Sequence, residues 1–330
     1  MTETATDWRP RRIGVIGAGA MGSSLASFVG GRLPVVMVCR DGNRAAEILR
    51  WGVRTRGAIE SQAEPIVVRR VADLARVGGV SALFVATKTT AIPEVAKELR
   101  PLLPKIADQP GGLYVVSYQN GIEPGRQLMD LLDDRRVLRM VLSLGARMDA
   151  DGRSVKITFN RPPHAIGAPG ASNAQASRQI ASVLTEAGLD TQYDEQIELR
   201  VWEKAVINAA ANPVAALVNS SVGELYRSPA RSIVDRLLEE GAAVARTEGM
   251  PLDESYLARA HRLLESADDH MPSMVEDVRS GRESEIGQLN RQIIEHAHRV
   301  GVPVPTHEIV DALIETFDWK VYHKGEGGSG

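Results

Sequence analysis

The sequence predicts an α/β protein, with a doubly wound sheet in its N-terminal part followed by an all-α C-terminal domain. Three observations carry this expectation. A glycine-rich turn, Gly17 to Gly22, lies between a short β-branched run and a stretch of helically spaced apolar residues. Short apolar runs bounded by turn residues then alternate with helical segments as far as Tyr193, the pattern of a mainly parallel sheet. From Asp194 onward the composition turns helical with no convincing strand, so the expected division is residues 1–193 and 194–330.

Composition narrows the function classes. At 330 residues the chain can build two substantial cores, and a formal net charge of -3 without blocks of like charge argues against nucleic acid as a bulk electrostatic partner. A single cysteine, Cys39, excludes an intrachain disulfide and argues against a thiolate metal site, which fits a reducing cytoplasm. No apolar run reaches the length of a membrane span, and the start MTETATDW lacks an apolar leader segment, so a soluble, unprocessed protein is expected. The closing GEGGSG has linker composition and is expected to be disordered.

In chain order, a strand at Arg12 to Ile16 runs into GAGAMG, that is Gly17, Ala18, Gly19, Ala20, Met21 and Gly22. Gly17 permits the tight turn, Gly19 lets the backbone approach a pyrophosphate, Gly22 allows close helix packing, and the helix-start amides hold phosphate. This reads as a Rossmann-type dinucleotide site, with a glycine-rich turn that binds no ligand as the plainer alternative. A second strand, Pro34 to Val38, ends in Cys39-Arg40-Asp41. A carboxylate at this point favours a free ribose hydroxyl and a guanidinium favours a 2′-phosphate; Arg40 comes first, so NADPH is expected over NADH. An ordinary surface arginine at a sheet edge is the plainer reading.

Strands are expected at Gly52 to Arg56, Pro65 to Val68 and Ser81 to Ala86, the last followed by Lys88 and a helix over Ile92 to Arg100. Lys88 stands at a strand's carboxyl end, where ligands gather in open α/β sheets. So does Asn120, in the Gln119-Asn120-Gly121 turn after a strand at Leu113 to Ser117. A further strand is expected over Arg136 to Leu144. Ser154 to Phe159 and His164 to Gly167 then form a hairpin around Asn160 to Pro163, with His164 a strand residue of no catalytic weight. A loop at Gly167 to Ser172, a helix over Gln175 to Ala187 and a last strand at Leu189 to Tyr193 complete this part.

The stretch Val201 to Pro213, VWEKAVINAAANP, reads as a helix with Lys204, Asn208 and Asn212 within an arc of roughly 80°. An ammonium and two carboxamides on a small, apolar helix need an explanation beyond a solvated edge. Pro213 should kink or end the helix just past Asn212. Capping residues at Ser220-Ser221 precede helices near Ser228 to Glu248, Asp253 to Ser266, Ser273 to Val300 and Thr306 to Thr316. In the third of these, Val275, Val278, Ile286, Leu289 and Ile293 would share a core face, with Glu285 about 20° from Val278. A carboxylate there is partly buried and needs a cation; a pair with Arg282 within the helix is the local alternative.

Together these stretches resemble the ketopantoate reductase (2-dehydropantoate 2-reductase) family over nearly the whole chain. The carriers are GAGAMG, Arg40, Lys88, QNG at Asn120, WEKAVINAAANP, VGEL at Val222 to Leu225, and PSMVEDV with ESEI at Ser273, Asp277 and Glu285. The resemblance implies a Rossmann domain and an all-helical domain with NADPH in the cleft between them, and a place in pantothenate biosynthesis. By the same resemblance Lys204 is the general acid and Glu285 supports it. Asn208, Asn212 and Ser273 hold substrate, Arg40 and Lys88 serve the cofactor, and Asn120 serves both. Family members often carry asparagine where this chain has His270, and a small residue in place of Pro272.

The residues alone suggest the same chemistry. Hydride addition to a 2-oxo acid builds negative charge on the carbonyl oxygen, and Lys204 is the best-placed proton donor, so no metal is needed. His296 and His298, two apart, cannot share a helix face and offer no evident competing acid. A non-catalytic NADPH sensor would need only the cofactor half. A reductase of another 2-oxo acid or ketone remains open at this point, as does a homodimer.

Overall fold

The computed structural model describes residues 8–133, 136–149, 151–168 and 173–323. The chain divides into two compact units, Met1–Gln119 with Pro124–Ile197, and Asn120–Glu123 with Glu198–Gly330. The first unit carries all twelve strands found among the described residues. They are β1 (Ile13–Ile16), β2 (Val35–Val38), β3 (Val53–Gly57), β4 (Ser61–Ala63), β5 (Ile66–Val68), β6 (Ala82–Val85), β7 (Tyr114–Ser117), β8 (Val137–Val141), β9 (Leu144–Met148), β10 (Ser154–Asn160), β11 (His164–Gly167) and β12 (Thr191–Tyr193). Its helices are α1 (Ala20–Val29), α2 (Gly42–Trp51), α3 (Ile92–Leu99), α4 (Leu103–Ile106), α5 (Pro124–Leu132) and α6 (Ala174–Glu186).

Eight strands form one sheet in the order β12-β11-β8-β7-β6-β1-β2-β5. From β5 to β8 all neighbours are parallel; β11 runs antiparallel to β8 and carries β12 parallel beside it. The chain winds one way from β1 through β2 to β5, then returns past β1 to β6, β7 and β8. That reversal between β1 and β6 is the switch point at which such sheets bind ligands. Register sharpens it: Ile16 faces Val38 on one side and Val85 on the other, and Val85 faces Ser117. Gly17, Cys39, Ala86 and Tyr118 therefore follow their strands at one common edge. β1, β2 and β6 are buried on both faces, as their uninterrupted apolar runs require.

A second sheet, β4-β3-β10-β9, corrects two expectations. The stretch Arg136 to Leu144 is not one strand but β8 and the start of β9, and Ser154 to Gly167 is not a hairpin, since β10 pairs with β3 and β9 while β11 pairs with β8. The chain changes sheets at Ser143, which is held from both sides. Its N–H donates to His164 Nδ1 at 3.1 Å and its carbonyl accepts from Arg161 N at 2.8 Å. Buried His164 also meets Asn160 Oδ1 through Nε2 at 2.9 Å, so it pins the crossover. Alternation alone cannot tell a hairpin from two strands that part company. Of the loop expected at Gly167 to Ser172, residues 169–172 lie outside the described residues, as do the GEGGSG tail and residues 1–7.

The second unit is helical: α7 (Ile197–Val218), α8 (Val222–Arg227), α9 (Arg231–Thr247), α10 (Tyr256–Glu265), α11 (Ser273–Arg279), α12 (Asn290–Val300) and α13 (Pro305–Tyr322). One core joins them, including Trp202, Ala209, Val214, Leu237, Tyr256, Ile293 and Ile314, all buried. Pro213 does not end its helix. α7 continues to Val218 because Ala209, Ala210, Val214 and Ala215 are packed on both sides of the proline, and tertiary burial outweighs the one missing N–H bond.

The helix expected over Ser273 to Val300 is broken. Gly281 takes a left-handed φ of 60°, α11 has already stopped at Arg279, and residues 280–289 form a loop with one 3-10 turn at Ile286–Gln288. Asp318 of α13 fixes the break, accepting from Ser284 N at 2.8 Å and Ser284 Oγ at 2.7 Å. The shared face of Val278 and Glu285 thus does not exist, and Arg282 pairs with Asp277 instead, Nε to Oδ1 at 3.0 Å.

Candidate active site

The glycine turn follows β1 at the switch point, and its three glycines meet three different demands. Gly17 sits at φ 108°, and a Cβ there would lie 2.8 Å from the Ala86 carbonyl of the neighbouring strand end. Gly22 packs α1 against the turn so closely that a Cβ would fall 2.0 Å from Gly17 O. At Gly19 a Cβ would meet nothing within 4 Å. Gly19 caps α1 without a side-chain hydrogen bond, so the amides of the first turn at Ala20, Met21 and Gly22 are left for an anion over an open surface. Three buried polar atoms at the neighbouring strand ends, Thr87 Oγ1, Tyr118 Oη and Gln119 Nε2, have no partner. A closed backbone turn with an open face and unpaired polar atoms beside it fits a dinucleotide.

Arg40 follows β2 as expected, but it is not alone. Its guanidinium forks onto Glu94 Oε1 and Glu98 Oε2 of α3, both at 2.8 Å. Arg69 donates to the Arg40 carbonyl, and Arg44 donates to the Ala18 carbonyl of the glycine turn at 3.3 Å. Sequence reasoning missed both: Arg44 lies inside α2, and Arg69 follows β5, the edge strand of the sheet, where no motif drew attention to it. Asp41, the competing candidate for a ribose hydroxyl, accepts from Arg44 N at 2.7 Å as the N-cap of α2. Lys88 is exposed and precedes a 3-10 turn at Thr89–Ala91.

The second unit gathers residues far apart in sequence. Lys204, Asn208 and Asn212 lie on successive turns of α7. Asn120 comes from the short segment after β7 that belongs with the helical unit, and its Oδ1 accepts from Lys204 Nζ at 2.7 Å. Lys204 keeps some surface yet is densely surrounded by protein. That desolvation pulls its ammonium down to about 8, with the Glu285 carboxylate opposing the shift. Glu285 stands in the loop after α11 and not on a helix face. Ser273 is exposed at the first turn of α11, directly after buried Pro272.

The VGEL stretch has a packing role that its sequence did not reveal. Ser221 caps α8 in a reciprocal box with Glu224. Val222 N and Gly223 N donate to the carbonyls of His270 and Asp268, both at 2.9 Å, and a Cβ on Gly223 would lie 2.4 Å from Asp268 O. This fastens the segment leading to Ser273. Also missed were Gln292 and His296 of α12, which bind the Asn120–Glu123 segment. Among the described residues, no group of three or more His, Cys, Asp or Glu side chains could hold a metal ion, and no helix is long and apolar enough to cross a membrane.

Comparison with known proteins agrees with this layout. The 2-dehydropantoate 2-reductase of Aquifex aeolicus is 24% identical over 311 residues, covering 91% of this chain and 95% of the relative. That of Archaeoglobus fulgidus is 27% identical over 300 residues, covering 89% and 93%. Among solved structures, a PanE/ApbA family ketopantoate reductase from Ralstonia eutropha superposes with a TM-score of 0.81 at 24% identity, over 94% of this chain and all (100%) of that one. D-mandelate dehydrogenase with NADH and anilino(oxo)acetate also scores 0.81, at 21% identity over 94% and 99%, so the fold is shared more widely than one substrate. Residues 13–162 match ketopantoate reductase PanE/ApbA and residues 196–317 match its C-terminal part. With both parts matched in order along one polypeptide, the chain belongs to the ketopantoate reductase family.

Proposed function

We propose that this protein reduces a small 2-oxo acid, ketopantoate to pantoate, using NADPH. The observation that carries the reading is Lys204: an ammonium brought down to about 8, bonded to Asn120 and coupled to Glu285. A reduced nicotinamide, when bound, supplies the hydride. Lys204 Nζ donates the proton that the carbonyl oxygen needs as charge develops there, and a value near the working pH suits an acid that must also be recharged. Glu285 favours the ammonium over the neutral amine, and Asn120 aims it. Asn208, Asn212 and Ser273 offer neutral hydrogen bonds to the polar arms of the substrate.

The cofactor half would be held by Gly17, Ala18, Gly19, Ala20, Met21 and Gly22, with Lys88 at the next strand end. Arg40, Arg44 and Arg69 bring positive charge near the end of β2 for a 2′-phosphate, for which Arg40 would exchange Glu94 and Glu98, while Asp41 is engaged as a helix cap. NADPH is preferred on that ground.

The substrate assignment is tested by comparing ketopantoate with 2-oxoisovalerate, which lacks the hydroxyl arm. A site that hydrogen-bonds a hydroxyl rejects the analogue without it by as much as about 10⁴-fold, because its own polar groups are left unpaired. We expect kcat/KM to fall by about that order on losing the arm. Equal rates for the two, or activity only on an aryl 2-oxo acid, would overturn the ketopantoate assignment, and His270 and Pro272 would be the positions to exchange.

A further inference from the structure

The segment Asn120–Glu123 has no regular structure of its own, yet it presents the oxygen that receives Lys204. α12 fastens it at two points. Gln292, buried, accepts from Ile122 N at 2.8 Å and Glu123 N at 3.2 Å through the same Oε1, while its Nε2 donates to Gln288 Oε1 at 2.9 Å and so fixes the amide's orientation. One turn on, His296 is fully buried with both ring nitrogens on carboxylates: Nε2 on Glu123 Oε1 at 2.7 Å and Nδ1 on Glu248 Oε1 at 2.6 Å. The ring packs edge-on against Trp202, centroids 4.9 Å apart, and Trp202 lies two residues before Lys204 on α7.

Carboxylates only accept, so both contacts are hydrogen bonds only when both ring nitrogens carry protons. The charged groups facing the ring are Glu123, Glu248 and Arg299, whose Nη1 lies 3.4 Å from Nδ1 and 3.6 Å from Glu248 Oε1. Imidazolium and guanidinium then balance two carboxylates. Burial pushes the imidazole toward neutrality, but the two carboxylates outweigh it and leave its affinity for protons raised.

We propose that His296, as an imidazolium held between Glu123 and Glu248, is a positioning residue that fixes the Asn120–Glu123 segment and thereby holds Asn120 against Lys204. This rests on the assignment of Lys204 as the acid, but it makes a statement about the lysine that needs no substrate. Asn120 stabilises the ammonium by accepting from it. Releasing the segment removes that hydrogen bond and makes Lys204 a weaker base.

The variant that cuts the link is Glu123→Ala, since Glu123 is a third exposed and its loss leaves His296 paired with Glu248. The readout is the pH dependence of reductive methylation at Lys204 in the intact protein, resolved by peptide mass spectrometry. We expect the midpoint to fall by about one pH unit in Glu123→Ala, with most of the shift recovered in Glu123→Gln, whose amide oxygen still accepts from His296 Nε2. In the same variants kcat should drop about tenfold in Glu123→Ala and recover in Glu123→Gln, with cofactor KM unchanged. Glu308→Gln, which cuts the surface pair of His298, should move neither. A wild-type Lys204 midpoint in folded Glu123→Ala overturns the proposal. A shifted midpoint in a protein that reduces no 2-oxo acid sustains the positioning role and sinks the functional reading instead.

Discussion

The glycine turn after β1 and the lysine site of the helical unit are built on opposite principles. Six contiguous residues make the turn, and its chemistry is backbone chemistry: amides, a left-handed glycine and the absence of Cβ atoms. The lysine site draws Asn120, Lys204 and Glu285 from three distant stretches and works through side chains whose properties depend on their neighbours. A backbone site is spelled in the order of the chain and tolerates little substitution. A side-chain site is spelled by the fold, and each member is separately adjustable.

That contrast predicts separable failures, the largest at Lys204. Lys204→Ala should lower kcat by about two to four orders of magnitude while leaving NADPH affinity nearly intact, the loss expected for a general acid. Stopped-flow hydride transfer and fluorescence titration of the cofactor check the two halves independently. In the proposed mechanism the active form is the ammonium, so wild-type reduction should be level below pH 8 and fall about tenfold per unit above it. An equal loss of cofactor affinity would erase the distinction between the two sites.

A smaller effect is expected at Arg40, proposed to extend the backbone site toward a 2′-phosphate. Arg40→Ala should weaken NADPH about 10- to 100-fold and leave NADH almost unchanged, as for a pair of charge-assisted hydrogen bonds to phosphate. Glu94 and Glu98 occupy that guanidinium, so the double change Glu94→Gln with Glu98→Gln should tighten NADPH severalfold. Calorimetric titration with both cofactors decides it. Parallel changes for NADH and NADPH would remove Arg40 from phosphate recognition.

The smallest effect is on stability alone. Ser221→Ala removes the cap of α8 and should cost about 1 kcal/mol in urea unfolding. The α8 N-terminus anchors the carbonyls of residues 268 and 270. Substrate KM should therefore rise modestly with cofactor binding untouched.

How much of this was legible follows the same contrast. β1, the glycine turn and α1 could be read in order because local spacing decides them. α7 was legible because its polar residues repeat every fourth position, and only its continuation past Pro213 depended on packing invisible in the sequence. The stretch from Ser273 to Val300 was misread because its apolar residues keep a helical period across a gap that Gly281 and a carboxylate from α13 impose. Glu285 stands in the loop after that break, a position no helical projection contains. The spacing of His296 to His298 conceals its role. Its real partners, Glu123 and Glu248, lie 173 and 48 residues away in sequence.

Asp318 has a consequence for motion. It lies just before the last turn of α13, and the amide and hydroxyl of Ser284, the neighbour of Glu285, both bond to it. Helix ends open at far lower free energy than helix centres. The amide of Ser284, bonded to a side chain instead of a backbone carbonyl, should therefore exchange with solvent when fraying of that end reaches Asp318. The same opening would loosen the Ser284 anchor beside Glu285, the carboxylate whose charge favours the Lys204 ammonium. Fraying at the end of α13 would thus reach the proposed acid through Ser284 and Glu285.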